Sequence, residues 1–435
     1  LEDFLNIYEK RTPTSRALFE RAKRVMSGGV SHWIRYFPPH PVYIRSVQGP
    51  YIWDVDGNRY IDLWMGHFAL ILGHRPPMVN EALKRAADLG THWGIVHQLQ
   101  IELAELICEM VPCAERLRFC VTGTEATMYA VRLARGFTSR NVIIKMQGGW
   151  HGANTDLCVA IHPPYEVPDS AGIPSDLHKH IVTIPFNDAH KAIDTIRRHS
   201  ADLAGVIVEP VVGAAGLIPA TREFLEALRE ETSRSSAVLI FDEVVTGFRL
   251  SPGGAQQHFG IIPDLATLGK IAGGGNCIGV VAGREDIFRC ADASIPRAKG
   301  EGVLIGGGTF SCSPLSMLTG LAVLNHLKDH AKEIYPQLDR MGIYLRDGME
   351  KIFSHYGLPF KVTGVASLCG VDFSGSEAQH AGSAKFDHEF KIRMLNHGVY
   401  VMHGGGAIST AHTKEDLDLV LSAVNETCAE MAKSI

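Results

Sequence analysis

Several features are scarce in this sequence, and each scarcity removes a class of function. Charged residues make up only 20% of the 435 residues, with 42 lysines and arginines against 47 aspartates and glutamates. The formal charge of -5 offers no positive field to hold a nucleic-acid backbone or an anionic bilayer, so neither is expected as a partner. Cysteines number nine, an odd count, are scattered, and include no Cys-x-x-Cys pair. A zinc ribbon or a dithiol centre is therefore not expected, and a reducing, cytoplasmic setting fits best. The longest run without Asp, Glu, Lys or Arg, 302–327, is broken by Gly306-Gly307-Gly308, Pro314, Asn325 and His326 and does not read as a membrane helix. The N-terminal stretch is charged throughout and has no apolar signal core. No Gly-x-Gly-x-x-Gly follows an early strand and opens a helix, which weighs against a nicotinamide oxidoreductase.

What the chain does have is apolar material for a large core, 46% of its residues. Residues 1–66 read as an amphipathic helix followed by short strands at Val42-Tyr43-Ile44, Tyr51-Ile52-Trp53 and Tyr60-Ile61, with Asp56-Gly57 suited to a hairpin turn. From about 100 to 285, seven short apolar runs alternate with helical stretches: 117–121, 142–144, 181–184, 205–208, 238–241, 265–268 and 279–281. Runs this uniformly apolar suit strands covered on both faces, and the helical spacers suit crossovers, so an α/β domain with a mostly parallel, seven-stranded sheet flanked by helices is expected. It is assigned to 67–318. A long helical stretch from about 314 to 355, the strand Val399-Tyr400-Val401 and a helix from about 414 place 319–435 with the N-terminal segment in a smaller α+β domain.

Ligands of open α/β sheets bind beyond the carboxyl ends of the strands, so the residues ending the runs are the candidates. Thr122-Gly123-Thr124-Glu125 opens a helix, where free N–H groups suit a phosphate, although a plain threonine cap explains the same residues. Asp242-Glu243-Val244 ends the fifth run, with a surface cap as the plain alternative. Gly269-Lys270 ends the sixth, where a solvated lysine is the default. Gly148-Gly149-Trp150-His151-Gly152 places two rings among glycines, and a packed tryptophan is its ordinary reading. Together, a phosphate cradle, a flat aromatic, an acid and a lysine on separate strand ends match the needs of pyridoxal 5'-phosphate (PLP).

These residues, with Glu209-Pro210, the stretch from Asp242 to Arg249, Thr267-Leu268-Gly269-Lys270 and Gly308-Thr309-Phe310, resemble the class III aminotransferases in order and spacing. Ala134-Arg135-Gly136, Pro263-Asp264-Leu265 and Gly28-Gly29-Val30-Ser31 bring the sequence nearest to the glutamate-semialdehyde aminomutase branch. The resemblance implies fold type I and a homodimer with active sites at the subunit interface. It implies Lys270 as the imine lysine and proton carrier, Asp242 as partner of the pyridinium nitrogen and Val244 against the ring face. Gly123 and Thr124 would bind phosphate from one subunit and Thr309 from the other. Trp150, where such enzymes usually carry Tyr or Phe, would stack on the ring, and His151 and Glu209 complete the cofactor set.

Arg35 aligns with the arginine that holds a substrate carboxylate in that branch, with His32, His67 and His403 as further substrate candidates. Three departures separate the chain from the strict aminomutase pattern. His67-Phe68-Ala69 stands in place of Trp-Gly-Pro, Ala214 in place of Asn, and the loop Met402–Ala407 carries no glutamate. The expectation is a ping-pong aminotransferase that moves an amino group from an amino acid to a small carboxylate-bearing ketone, with cyclic and β-keto acids among the options. An aminomutase, a racemase or epimerase on the same lysine, and a non-catalytic cofactor-binding module are the alternatives.

Overall fold

Residues 2–373, 380–402 and 404–433 are described by the computed structural model, and the chain divides into Pro77–Pro336 and a second unit made of Leu1–Pro76 with Gln337–Ile435. The larger unit takes in the helix Pro314–Asp329, which packs against helices Pro77–Leu89 and Gln98–Met110. A division at 318/319 cuts through that helix.

All seven apolar runs form strands of one sheet in this unit. They are β1 (Arg116–Cys120), β2 (Val142–Met146), β3 (Ile181–Ile184), β4 (Leu203–Val208), β5 (Val238–Asp242), β6 (Leu265–Gly269) and β7 (Gly279–Gly283). Their order is β1-β7-β6-β5-β4-β2-β3, and only β7 runs antiparallel to its neighbours. Every residue of β2, β4, β5, β6 and β7 is buried, because both faces are covered. Ile143, Ile207, Ile240 and Val281 pack with Ala130, Leu133 and Ala134 of the helix Gly123–Thr138. The alternate residues Ile144, Val206, Leu239 and Phe241 pack with Ile196 and Phe224 from helices Ala189–His199 and Arg222–Arg234. Register then fixes where the strands end. Asp242 lies beside Thr267, and Gly279 at the start of β7 lies opposite both Gly269 and Cys120, so β1, β5 and β6 open onto one edge.

In the smaller unit Ile44–Gln48, Tyr51–Asp54, Arg59–Asp62 and Val399–Tyr400 form a four-stranded sheet in that order. Val399–Tyr400 runs parallel to Arg59–Asp62, which joins the two ends of the chain in one sheet. The expected hairpin turn is present, with Gly57 at φ +90°. The first strand starts at Ile44 rather than Val42, because the Tyr43 N–H is taken by Ser15 Oγ at 3.2 Å. Phe4, Tyr8, Phe37, Tyr60, Ile392 and Leu395 form the core there. Among the described residues, no helix is long and apolar enough to cross a membrane.

Candidate active site

Asp242, the last residue of β5, is only 5% exposed and spends both carboxylate oxygens on neighbours. Oδ1 accepts from Thr267 Oγ1 at 3.0 Å and from the Val244 N–H at 3.2 Å. Oδ2 pairs with His151 Nδ1 at 2.8 Å. A carboxylate only accepts, so this contact places the imidazole proton on Nδ1 and leaves Nε2 bare. Burial pushes His151 below the ordinary imidazole value against the opposing pull of Asp242. His151 Nε2 is buried and finds no partner among the described residues.

Lys270 follows β6 with a left-handed φ of +50°, a conformation that disfavours any residue with a Cβ and that clusters at functional sites. Burial lowers its amine from the usual lysine value; Asp242 and Glu209 pull it back up, and Arg249 adds to the lowering. Glu209, next after β4, accepts from the Trp150 N–H at 2.7 Å and the Gly213 N–H at 3.1 Å. Its carboxyl is pushed up to about 8, first by burial and then by the charge of Asp242.

Thr122 caps the helix Gly123–Thr138, in a capping box with Glu125, so the plain reading holds for that threonine. The Glu125 N–H is taken by that cap at 3.2 Å, but the N–H groups of Gly123 and Thr124 have no intrahelical acceptor and form the positive end of the dipole. Close backbone approach is enforced on both sides of this turn. A Cβ on Gly123 would lie 3.0 Å from both methyls of Val244, and one on Gly152, at φ +83°, would fall 2.3 Å from Thr124 Oγ1. Val244 therefore sits directly beside the helix start.

Residues 35–426 match the family model for aminotransferase class-III. This chain belongs to the class III aminotransferase family. It is 40% identical over 422 residues to the glutamate-1-semialdehyde 2,1-aminomutase of Methanosarcina acetivorans, covering 95% of this chain and 97% of that one. Among solved structures, an omega-transaminase from Sphaerobacter thermophilus superposes with a TM-score of 0.90 at 32% identity, covering 98% of this chain and all of that one. A transaminase with PLP bound gives 0.90 at 34% identity, covering 97% and 99%. Fold type I and the use of PLP follow from family membership.

The residues present fit that cofactor. A helix start with unbonded N–H groups suits the phosphate, Val244 offers an apolar face, and Asp242 offers a buried negative charge. The bare Nε2 of His151 marks polar capacity still to be used. Lys270, Asp242, His151, Glu209, Trp150, Val244, Gly123 and Thr124 all belong to the larger unit, at or just beyond the ends of its strands. Thr309, in the same unit, is exposed beside Phe310, itself 63% exposed, on a loop anchored by the Gly307 N–H to Tyr129 Oη at 3.1 Å.

Arg35, His32 and His67 lie in the smaller unit. The rings of His32 and His67 are 5.7 Å apart, Trp64 lies 4.4 Å from His67, and Arg35 Nη1 reaches Ser31 Oγ at 3.5 Å. His67 belongs to a feature that sequence reading missed. Met65, Gly66, His67 and Phe68 have successive φ values of 44°, 59°, 65° and 66°, a single left-handed turn. Such backbone costs roughly 1–2 kcal/mol per non-glycine residue. Asp62 helps to hold the turn: Oδ1 accepts the N–H groups of Trp64 and Met65 at 2.8 and 3.1 Å, and Oδ2 pairs with His74 at 2.7 Å. His403 lies outside the described residues. In the larger unit the sequence reading missed Thr267, whose hydroxyl binds Asp242, and Lys145; a lone charge between the apolar run 142–144 and Met146 was the available signal for the latter.

Proposed function

We propose that this enzyme shifts an amino group within one small carboxylate-bearing substrate, an exchange of the glutamate-1-semialdehyde 2,1-aminomutase kind. The observation that carries amino-group chemistry is the buried Asp242–His151 pair at the strand edge that also bears Lys270. The aminomutase form is favoured by the relative named above, alike over 95% of this chain. When bound, PLP supplies a ring that takes up the electron pair released as a C–H bond beside the amino nitrogen breaks.

The chain's own residues do the rest. Lys270 holds the coenzyme covalently and then carries the proton, and the burial that lowers its amine favours the neutral form that can accept one. Asp242, fixed by Thr267 and His151, keeps negative charge where the ring nitrogen is protonated. Gly123 and Thr124 receive the phosphate at the helix start, and Val244 meets the ring face. Thr309 reaches the phosphate of the opposite subunit in a homodimer, a role that its exposure suits.

Transfer between two substrates is the second reading. The departures His67-Phe68-Ala69, Ala214 and the loop from Met402 favour it, as do the structural neighbours named as transaminases. Incubating the loaded enzyme with glutamate 1-semialdehyde and no second amine separates the two. Conversion to the isomer with nitrogen moved from C2 to C1 is expected. No isomer, with turnover only when an amino donor and a ketone are both supplied, overturns the first reading in favour of the second.

Arg35 is the proposed carboxylate anchor in either case. A bidentate charge-assisted contact makes Arg35→Ala expected to lower kcat/KM by about ten- to a hundredfold, with Arg35→Lys restoring only part because the planar fork is lost. Coenzyme content should be unchanged. Equal loss on substrates with and without the carboxylate would make Arg35 structural.

A further inference from the structure

The peptide group joining Gly149 to Trp150 is gripped at both ends by buried groups of opposite charge type. Its carbonyl oxygen accepts from Lys145 Nζ at 3.0 Å, and its N–H donates to Glu209 Oε1 at 2.7 Å. Lys145 is fully buried in the middle of β2, and Glu209 is 5% exposed. The remaining ammonium protons go to the carbonyls of Leu157 at 3.0 Å and Val159 at 2.6 Å. Three donors meet three acceptors, and the carbonyls stand in for the water that burial removes. Burial pushes the amine down to about 8, with Glu209 the largest opposing influence.

This arrangement answers a local need. Gly148, at φ +80°, and Gly149 precede Trp150, and neither has a side chain to restrict the chain before the aromatic residue. The negative end of the peptide dipole faces the ammonium, and its N–H faces the carboxyl group. The bond to the Lys145 ammonium, made in a low-dielectric interior, is stronger than one between neutral groups, and the Glu209 carboxyl oxygen accepts the N–H in either protonation state.

We infer that Lys145 is a positioning residue which, with Glu209, fixes the plane of the Gly149–Trp150 peptide and so sets how Trp150 and His151 present their rings to the coenzyme. The inference rests on the reading of those two rings as coenzyme-facing and gives it a mechanical cause. Methionine fills the volume of lysine without donors, glutamine keeps two donors, and Glu209→Gln keeps the shape and an acceptor oxygen while removing the titratable carboxyl.

The test uses the coenzyme-loaded enzyme and its K145M, K145Q, E209Q and K145Q/E209Q variants. Loss of charged hydrogen bonds is expected to weaken coenzyme retention by about ten- to a hundredfold in K145M and less in K145Q. Both should change the visible circular dichroism of the bound coenzyme and speed amide exchange within 147–160 while leaving other segments protected. The double variant should lose clearly less than the product of its two single losses, because both groups act on one peptide. If K145M does not fold, K145Q and E209Q carry the comparison. Wild-type dichroism and retention in a folded Lys145 variant, or a double variant that multiplies the single losses, overturns the inference. Mapping the borohydride-trapped coenzyme separates this failure from failure of the site itself, since an adduct away from Lys270 would overturn the site.

Discussion

Replacing Lys270 with alanine is expected to lower turnover by at least about a thousandfold, since in the proposed role one side chain supplies both the covalent attachment and the proton transfer. The fold should survive. Lys270 leaves β6 after its last ladder pair, Gly269 with Gly279, and the substitution removes an amine that burial already disfavours in its charged form. The sign of its effect on stability follows from proton counting. With the folded-state value lowered from 10.5, the unfolded chain binds the extra proton over the interval just below that value, so this residue makes stability rise with pH there, and Lys270→Ala removes that contribution. Single-turnover kinetics and peptide mapping after borohydride reduction check the prediction. Turnover within tenfold of wild type, or an adduct on another lysine, would reject Lys270 as the attachment point.

The sheet was legible because its strands are buried on both faces and therefore read as continuous apolar runs, as from Val238 to Phe241. The antiparallel direction of β7 was not read from the sequence, although the link from Gly269 to Gly279, too short for the crossover that a parallel strand needs, carried the signal. Strand-end reasoning singled out Asp242 and Lys270, and the structure places them at the ends of neighbouring parallel strands, which bring their carboxyl ends together whatever lies between them in sequence. It could not find the bond from His151 to Asp242, since nothing in a spacing of 91 residues says which side chains meet. The left-handed turn at 65–68 was hidden for another reason. Methionine, histidine and phenylalanine carry no preference for positive φ, and the turn depends on tertiary partners such as Asp62. The limit at 318 falls inside the helix Pro314–Asp329, which packs on Pro77–Leu89 of the larger unit, a tertiary contact that helical periodicity does not report.

Asp242→Asn is expected to leave the protein folded and able to hold some coenzyme, while turnover falls by about a hundred- to a thousandfold. Local geometry allows the fold to survive. An amide oxygen can still accept from Thr267 Oγ1 and the Val244 N–H, the two bonds now made by Oδ1. The other side must rearrange, because the amide NH2 would face the proton on His151 Nδ1. Moving that proton to Nε2 turns Nδ1 into an acceptor and restores the contact, a change of tautomer in a ring that burial keeps neutral. What cannot be restored is the charge. A neutral amide no longer stabilises a protonated ring nitrogen in a water-poor site, and electrostatic support of this kind is typically worth a few kcal/mol in the transition state. The fall should appear in kcat, with a smaller change in KM, and should be accompanied by a shift in the visible spectrum of the bound coenzyme. His151→Asn, which removes the ring but leaves the carboxylate, should lose less. Equal losses in the two variants would mean that the histidine, rather than the charge of Asp242, governs the reaction.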